Sequence, residues 1–278
     1  MKSNVKFPEL AEQGKLKIEW VENNMPVLQM IRKRFKKEQP LKDLKVAMAL
    51  HVEPKTCALA KTLRDGGAEV AISGCNPLTT QDDAAAALAE EENINVFCWR
   101  GQTNDEYYQN LDNVLGFSPN ITIDDGCDLV TVIHTQKEEL LEGIIGGCEE
   151  TTTGIVRLKA MEKEGVLKYP MMDVNNALTK YLFDNRYGTG QSVLDGLFSA
   201  TNLILAGKTF VVAGYGWCGK GIAMRAKGLG CKVIVTEIDE IKALEAHMDG
   251  FRVMRMEEAA KEGDIFVCAT GNKHVIRE

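Results

Sequence analysis

Residues 209–237, TFVVAGYGWCGKGIAMRAKGLGCKVIVTE, join in one run the patterns of a strand, a glycine-rich turn, a helix and a second strand. The apolar residues 210–213 predict a buried strand, residues 220–229 a helix, and residues 232–236 the second strand. A strand, a crossover helix and another strand in this order form a βαβ unit, from which open parallel sheets are built. The stretch therefore predicts an α/β fold for this part of the chain.

The turn inside this unit carries three glycines with GxGxxG spacing, Gly214, Gly216 and Gly219. They permit, in order, a tight turn, close approach of the backbone to a pyrophosphate, and close packing of the next helix on the strand. Glu237 follows the second strand, where a carboxylate accepts hydrogen bonds from a ribose 2′-hydroxyl and repels a 2′-phosphate. The unit therefore predicts NAD rather than NADP as cofactor. A plain strand-to-helix turn is the alternative.

Composition limits the classes of function. The chain has 278 residues, 45% of them hydrophobic, which is enough to form two hydrophobic cores. Its net charge is -7 and its pI is near 5.3, which argues against nucleic acid or an anionic membrane as a partner.

The eight cysteines are far apart and contain no CxxC pair. This spacing favours separate buried thiols in a reducing compartment and predicts neither a disulfide framework nor a metal site. The first residues, MKSNVKFPEL, lack the apolar segment of a signal peptide, and no apolar run is long enough to span a bilayer. We therefore expect a cytoplasmic protein.

The chain before residue 209 also alternates between helical and strand patterns. Residues 10–38 predict a helix that Pro26 kinks or divides. Predicted strands lie at 46–51, 69–73, 95–99 and 121–124, and predicted helices at 55–66, 80–91, 104–115, 137–145 and 191–206. Such alternation indicates a second parallel sheet with helices on both faces.

We therefore predict an α/β protein with two Rossmann-like parallel-sheet domains. Two glycines in the segment RYGTG, residues 186–190, offer a hinge. On this basis we assign residues 1–187 to a substrate-binding domain and residues 188–278 to an NAD-binding domain. The second domain is expected to be incomplete, because residues 265–269 form only its third predicted strand of the six that a Rossmann sheet contains.

Six strings, in the correct order, closely resemble the S-adenosylhomocysteine hydrolase family. They are MALHVEPKT (48–56), CNPLTTQDDAAAA (75–87), DDGCDL (124–129), EETTTG (149–154), DVNNALTKYLFDN (173–185) and VVAGYGWCGKG (211–221). The resemblance runs from about residue 15 to the end. It implies that NAD oxidises the nucleoside 3′-hydroxyl, which acidifies the 4′ proton; homocysteine then leaves C5′, water adds, and the hydride returns.

The resemblance also assigns roles to residues of this chain. Lys180 and Asp184 act at the ribose hydroxyls, where Lys180 helps to take the 3′-hydroxyl proton. Glu150 binds the ribose hydroxyls, and Asp125 and His51 handle protons near C4′ and C5′. From the turn and the resemblance together, the expected NAD contacts are Thr151, Thr152, Thr153, Asn185, Gly214, Gly216, Trp217, Cys218, Gly219, Glu237, Lys242, Thr270 and Asn272.

Each role has a simpler structural alternative. Lys180 and Asp184 are four residues apart and could form an ordinary surface pair on a helix. The threonines 151–153 could be a helix start, and Asp125 a turn residue. His51 at a strand end could be a core histidine whose hydrogen bonds are satisfied.

The sequence departs from the family pattern at three places. Thr189 stands where many members have cysteine. Lys242 stands where many members have asparagine near the adenosine ribose of NAD, and a cation at that position slightly weakens the case for NAD over NADP. Glu53 and Lys55 stand where enzymes for adenosine typically have threonine and glutamate. Hypoxanthine offers an N–H donor and a carbonyl acceptor, which a carboxylate and an ammonium would match. In this respect the chain resembles the archaeal branch of the family, which hydrolyses S-inosylhomocysteine. Solvated charges at a helix start are the alternative.

Two hypotheses about function follow. The first is an NAD-dependent thioether hydrolase acting on a nucleoside, which in this family is expected to be a homo-oligomer. Family members continue beyond residue 278, so we expect a truncated chain whose own activity is doubtful. The second hypothesis is therefore a catalytically silent NAD-binding or interaction protein that keeps the fold.

Overall fold

The computed structural model describes residues 2–277, and its contacts divide the chain into two compact units, Met1–Val174 and Asn175–Glu278. Residues 175–187, which we had assigned to the first domain, therefore lie with the second unit. The carbonyl oxygen of Arg186 occupies the space where a side chain at Gly221 would begin, 1.7 Å from the ideal Cβ position. This close backbone contact joins residues 175–187 to the nucleotide-binding motif that follows.

The first unit is built on a six-stranded sheet. Its strands are β1 (Lys45–Ala49), β2 (Glu69–Ser73), β3 (Ile94–Phe97), β4 (Ile121–Asp124), β5 (Gly146–Glu149) and β6 (Met171–Asp173). All neighbours pair in parallel, in the order β3-β2-β1-β4-β5-β6. The order reverses between β1 and β4, and parallel sheets bind ligands in the crevice at such a point, at the carboxyl ends of the strands.

Seven α-helices cover the two faces of this sheet in the described chain. They are α1 (Ala11–Asn23), α2 (Pro26–Glu38), α3 (Pro54–Asp65), α4 (Asp82–Ala89), α5 (Asn104–Leu115), α6 (Asp128–Gln136) and α7 (Thr152–Lys163). One core contains Leu111, Leu129 and Ile155 from α5, α6 and α7. The other contains Ile18, Cys57 and Leu88 from α1, α3 and α4. The sequence analysis predicted that Pro26 would kink or divide the long N-terminal helix, and the structure shows that it divides the helix into α1 and α2.

The second unit has a four-stranded parallel sheet, β7 (Thr209–Ala213), β8 (Lys232–Thr236), β9 (Arg252–Val253) and β10 (Ile265–Cys268), in the order β10-β7-β8-β9. Its helices are α8 (Leu178–Lys180), α9 (Thr189–Thr201), α10 (Trp217–Gly228), α11 (Glu240–Met248) and α12 (Met256–Glu262), with a π-helical segment, Tyr181–Gly188, between α8 and α9. The predicted strand–turn–helix–strand unit is present as β7, α10 and β8. Two parallel sheets of this kind confirm the α/β prediction.

Several elements were missed or misread. The elements that had not been predicted are strands β5, β6 and β9 and helices α7, α8, α11 and α12. Residues 138–143 form a 3-10 helix where an α-helix over 137–145 was predicted, and the α-helix after β4 is α6. Strand β5 begins with Gly146-Gly147, a pair that disfavours strands when judged locally. A Cβ at Gly147 would lie 2.2 Å from Thr122 Oγ1 on β4, so tight packing explains the glycine.

None of the helices among the described residues combines the length and the apolar character needed to cross a membrane.

Candidate functional site

The first unit brings His51 and Asp125 together at the point where its strand order reverses. His51 follows β1 and Asp125 follows β4, and Ala49 and Asp124 are register partners in these adjacent strands. The imidazole Nε2 lies 3.4 Å from Asp125 Oδ2. His51 is exposed, and its Nδ1 lies 2.7 Å from Thr79 Oγ1. The core-histidine alternative is therefore wrong.

Two residues that the sequence analysis did not single out complete this cluster. The Cys75 thiol donates to Asp125 Oδ2 over 3.6 Å, and Thr79 orients the His51 ring. Burial raises the pKa of the Cys75 thiol, and the charge of Asp125 raises it further, so the thiol holds its proton. Both residues lie in the loop after β2, and the position of β2 beside β1 was the signal that could have indicated them.

Two buried carboxyl groups hold the backbone around Asp125. Asp124 accepts hydrogen bonds from the amides of Asp125 and Val130, at 3.0 and 2.9 Å. Glu149 accepts from the amides of Gly126, Cys127 and Thr151, at 2.8, 3.1 and 3.0 Å. Burial raises the pKa of Glu149 to about 7, although the hydrogen bonds from the backbone amides lower it. Burial also raises the pKa of Asp124. Glu149 thus fixes the loop after β4 and the start of α7 together.

Glu149→Gln is expected to reduce the pH dependence of the stability of the first unit. The pKa of Glu149 is about 7 in the folded chain against a reference of 4.5, so between these pH values the unfolded chain loses a proton that the folded chain keeps. The free energy of unfolding therefore falls as pH rises through this window, by about 3 kcal/mol. Glutamine does not titrate, so most of this fall should be absent from the variant.

Urea unfolding of the parent and of Glu149→Gln at pH 5 and pH 8 measures this difference. Asp124 contributes in the same direction to both proteins. The charge of Glu149 is one cause of its raised pKa, so removing that charge should reduce the pH dependence of the variant further. The exposed Glu142 supplies the control, because Glu142→Gln should keep the parent's pH dependence. Parallel pH profiles for the parent and Glu149→Gln would contradict the assigned role of Glu149.

Glu150 and the three threonines follow β5. Glu150 is half-buried, and Thr151 is the N-cap residue of α7, with Thr152 and Thr153 exposed in its first turn. The threonines therefore do form a helix start. The first amides of a helix have no partner within it, so this position also suits contact with a ligand.

Glu53 and Lys55 lie at the start of α3. Glu53 is the N-cap residue, and its Oε1 accepts a hydrogen bond from the Thr56 amide at 3.1 Å. Its Oε2 lies 3.6 Å from the Lys55 ammonium group. Both side chains line a groove of about 570 Å³ whose other wall is the apolar side of α1, including Leu16, Trp20 and Val21. Glu53 and Lys55 therefore lie at a helix start, as the alternative states, and they are also polar residues lining a largely apolar groove.

In the second unit, Lys180 and Asp184 differ from an ordinary surface pair. Lys180 Nζ lies 3.7 Å from Asp184 Oδ2, but the lysine side chain is only 16% exposed while the carboxylate is 61% exposed. Asn175 Oδ1 accepts hydrogen bonds from Lys180 Nζ and from Asn185 Nδ2, both at 3.0 Å. The pair spans the start of the π-helical segment, a geometry that is frequent at functional sites.

The glycine turn after β7 has the geometry that a dinucleotide requires. Gly214 has a φ of +99°, and a Cβ at Gly219 would lie 2.0 Å from the Gly214 carbonyl oxygen, so both positions need glycine. A Cβ at Gly216 would meet no atom within 4 Å, which leaves open space beside the turn. Trp217 and Cys218 begin α10 directly after the turn. The first backbone amides of a helix have no partner within it and can donate hydrogen bonds to a phosphate.

Glu237 lies directly after β8, as the NAD prediction requires. Its Oε2 accepts from the Tyr215 amide at 2.6 Å, and its Oε1 from the amides of Ile238 and Asp239 at 2.8 and 3.1 Å. The carboxylate is thus held at the glycine turn, and a carboxylate has lone pairs for further hydrogen bonds. The open space at Gly216 and the fixed Glu237 fit NAD.

The remaining predicted cofactor residues lie at the edges of this site. Thr270 follows β10, the strand beside β7, and its methyl group lies 3.1 Å from the ideal Cβ position of Gly214. The Asn272 amide donates to Thr270 Oγ1 at 3.2 Å. Lys242 is exposed on α11, where its ammonium group lies 3.7 Å from Asp239 Oδ2. Thr189 Oγ1 accepts a long contact from the Cys218 thiol at 3.8 Å.

Comparison with known proteins adds two family matches. Residues 2–143 match the model for S-adenosyl-L-homocysteine hydrolase, and residues 185–278 match the model for the NAD-binding domain of S-adenosyl-L-homocysteine hydrolase. The second match identifies NAD as the cofactor of the second unit.

Three curated archaeal relatives show the extent of the similarity. The S-inosyl-L-homocysteine hydrolases of Methanocaldococcus jannaschii and Methanosarcina mazei are each 64% identical, over 97% and 96% of this chain. The adenosylhomocysteinase of Archaeoglobus fulgidus is 61% identical over 96% of the chain. In each case the chain spans 65% of the relative's length. Relatives named for the inosyl substrate and for the adenosyl substrate are thus almost equally similar to this chain in sequence.

Proposed function

Because the chain belongs to the S-adenosyl-L-homocysteine hydrolase family, we propose that it serves the NAD-dependent, reversible hydrolysis of S-inosyl-L-homocysteine to L-homocysteine and inosine. The observation that carries the proposal is the pairing of His51 with Asp125 at the strand-order reversal. An imidazole and a carboxylate 3.4 Å apart can exchange protons with one substrate, which elimination and addition at neighbouring carbons require. S-Adenosyl-L-homocysteine is the alternative substrate, with adenosine as product.

We propose the roles of the individual residues from the family resemblance. Asp125 takes the proton from C4′, and His51 passes a proton to the departing sulfur and recovers one from the incoming water. Thr79 keeps the imidazole in position through Nδ1. Lys180 takes the 3′-hydroxyl proton, and Asp184 and Glu150 bind the ribose hydroxyls. When bound, NAD supplies the reversible acceptor for the hydride of the 3′ carbon.

The choice of base is proposed to depend on Glu53 and Lys55. Glu53 accepts from N1–H of hypoxanthine and Lys55 donates to its O6, with the apolar wall of the groove against the ring. Adenine would place its amino group against Lys55 and its N1 lone pair against Glu53. Each polar group that the bound base would bury without a matching partner costs about 1–3 kcal/mol, which corresponds to roughly 5- to 150-fold discrimination per contact.

Glu53→Thr combined with Lys55→Glu is expected to reverse the base preference. The measurement is kcat/KM for S-inosyl- and S-adenosyl-L-homocysteine, in a protein of the relatives' full length with and without the two substitutions. Asn24→Ala is the control, because Asn24 also lines the groove, is exposed and has no assigned contact with the base. Equal values for the two substrates in the parent, or an unchanged preference in the double variant, would show that the base is recognised elsewhere.

We further propose that the working enzyme is a homo-oligomer in the cytoplasm. The family resemblance supports the assembly, and the wide spacing of the eight cysteines, which include no CxxC pair, supports a reducing compartment. Light scattering of a protein of the relatives' full length would measure the assembly directly.

A further inference from the structure

Three potential metal ligands meet at the carboxyl ends of β1, β2 and β4. His51, Cys75 and Asp125 each offer one ligand atom, and these atoms all lie within 4.8 Å of one another. We propose that His51 Nε2, Cys75 Sγ and Asp125 Oδ2 bind one zinc ion, with water as the fourth ligand. The sequence analysis had predicted no metal site, because the three residues are far apart in the chain and none belongs to a CxxC pair.

The two distances from Asp125 Oδ2 to the other ligand atoms fit tetrahedral coordination. Zinc bonds of about 2.0–2.2 Å to nitrogen and oxygen and about 2.3 Å to sulfur place the N···O pair about 3.4 Å apart and the S···O pair about 3.6 Å apart in a tetrahedron. The observed distances are 3.4 Å from His51 Nε2 to Asp125 Oδ2 and 3.6 Å from Cys75 Sγ to the same oxygen. A tetrahedral ion also needs His51 Nε2 and Cys75 Sγ about 3.6 Å apart. The three ligand atoms lie within 4.8 Å of one another, so the ion requires these two side chains to close by at most about 1 Å.

Thr79 prepares the histidine as a ligand. The Thr79 hydroxyl lies 3.4 Å from the Asn76 carbonyl oxygen, to which it donates, and 2.7 Å from His51 Nδ1. When zinc is bound, the imidazole would carry its proton on Nδ1 and donate it to the Thr79 oxygen. This arrangement leaves the lone pair of the imidazole on Nε2, the atom nearest Asp125. Second-shell hydrogen bonds of this kind fix the tautomer and orientation of metal-bound histidines.

The charges of the proposed site balance. Zinc binds the thiolate, so the Cys75 proton passes to solvent when the metal enters. The thiolate and the Asp125 carboxylate then neutralise the two charges of the ion, and the imidazole is neutral. The exposed His51 side leaves access for the ion and for its water ligand.

Metal binding at this cluster can be measured without any assay of turnover. If the proposed function holds, the same ion would occupy both His51 Nε2 and Asp125, the groups assigned to proton transfer, and would inhibit the reaction. The test therefore measures binding of the metal alone, so that failure of the zinc site and failure of the hydrolase assignment remain distinguishable.

Zinc affinity of this chain is measured by competition with a chromophoric chelator, and Co²⁺ serves as the spectroscopic probe. We expect one zinc ion per chain and a thiolate-to-cobalt absorption band in the near ultraviolet. Cys75→Ser and His51→Gln should each weaken zinc binding by more than about 10-fold, and Thr79→Val, which removes only the orienting contact, by about 10-fold. Cys75→Ser should also abolish the cobalt band.

Cys268→Ser is the matched control, because Cys268 is the exposed cysteine and would capture metal non-specifically. It should leave both the zinc affinity and the cobalt band unchanged. The cobalt spectrum of the parent does not depend on how well any variant folds. Absence of the thiolate band in the parent, or parental zinc affinity in both Cys75→Ser and His51→Gln, would overturn the proposal.

Discussion

Replacing Gly216 by valine is expected to weaken NAD binding by at least about 100-fold, which is about 2.7 kcal/mol, while the fold stays intact. The backbone at Gly216 has φ -72° and ψ -170°, an extended conformation open to any residue, and an added Cβ meets no protein atom within 4 Å. The valine side chain would instead fill the space in which the pyrophosphate approaches the backbone. Calorimetric titration with NAD measures the loss, and thermal unfolding without NAD checks the fold.

Two other glycines of α10 separate the cofactor effect from a folding effect. Gly228, at the far end of the helix, also has open space at its Cβ position, so Gly228→Val should leave NAD affinity unchanged. Gly219→Ala should instead destabilise the unit itself, because its Cβ would lie 2.0 Å from a backbone oxygen. Unchanged NAD affinity in Gly216→Val would show that the turn does not hold the pyrophosphate.

Lys180→Met is expected to slow reduction of bound NAD by nucleoside by about 10²- to 10⁴-fold, the usual contribution of a general base. Methionine keeps most of the volume of the side chain but cannot take the 3′-hydroxyl proton. The measurement is the absorbance of the reduced nicotinamide after nucleoside is added to a protein of the relatives' full length. Lys261→Met on α12, an exposed lysine, is the matched control and should reduce NAD at the parental rate.

The surface-pair alternative makes a different prediction for the same variants. If Lys180 and Asp184 only form an ion pair, Lys180→Met and Asp184→Asn should each change stability by less than about 1 kcal/mol and leave NAD reduction undiminished. A rate equal to that of Lys261→Met would therefore exclude Lys180 as the base.

The sequence predicted much of the fold because its strongest signals are local. The turn at Gly214–Gly219, the strands on either side and the position of Glu237 depend on residues close together in the chain. The boundaries of β2, α5, β4 and β8 agree with the predicted ranges for the same reason. The six family strings likewise indicated the hydrolase family before any coordinates.

Other features were beyond local signals. The double glycine of β5 fits a strand only because Thr122 and Met171 pack against it from the neighbouring strands. No local pattern distinguishes Glu149 from the other acidic residues. In the folded unit it is buried and accepts hydrogen bonds from three backbone amides. Glu53 could be predicted to lie at a helix start, but the groove beside it depends on the placement of α1.

By itself, the sequence determined the α/β class, the NAD-binding turn and the family, because each depends on short-range patterns of apolar residues, glycines and acids. Only the tertiary structure decided that His51, Cys75, Thr79 and Asp125 form one cluster. Their meeting depends on the order of strands in the sheet, which places β2, β1 and β4 side by side. Strand order is set by the packing of the whole unit, and no spacing along the chain records it.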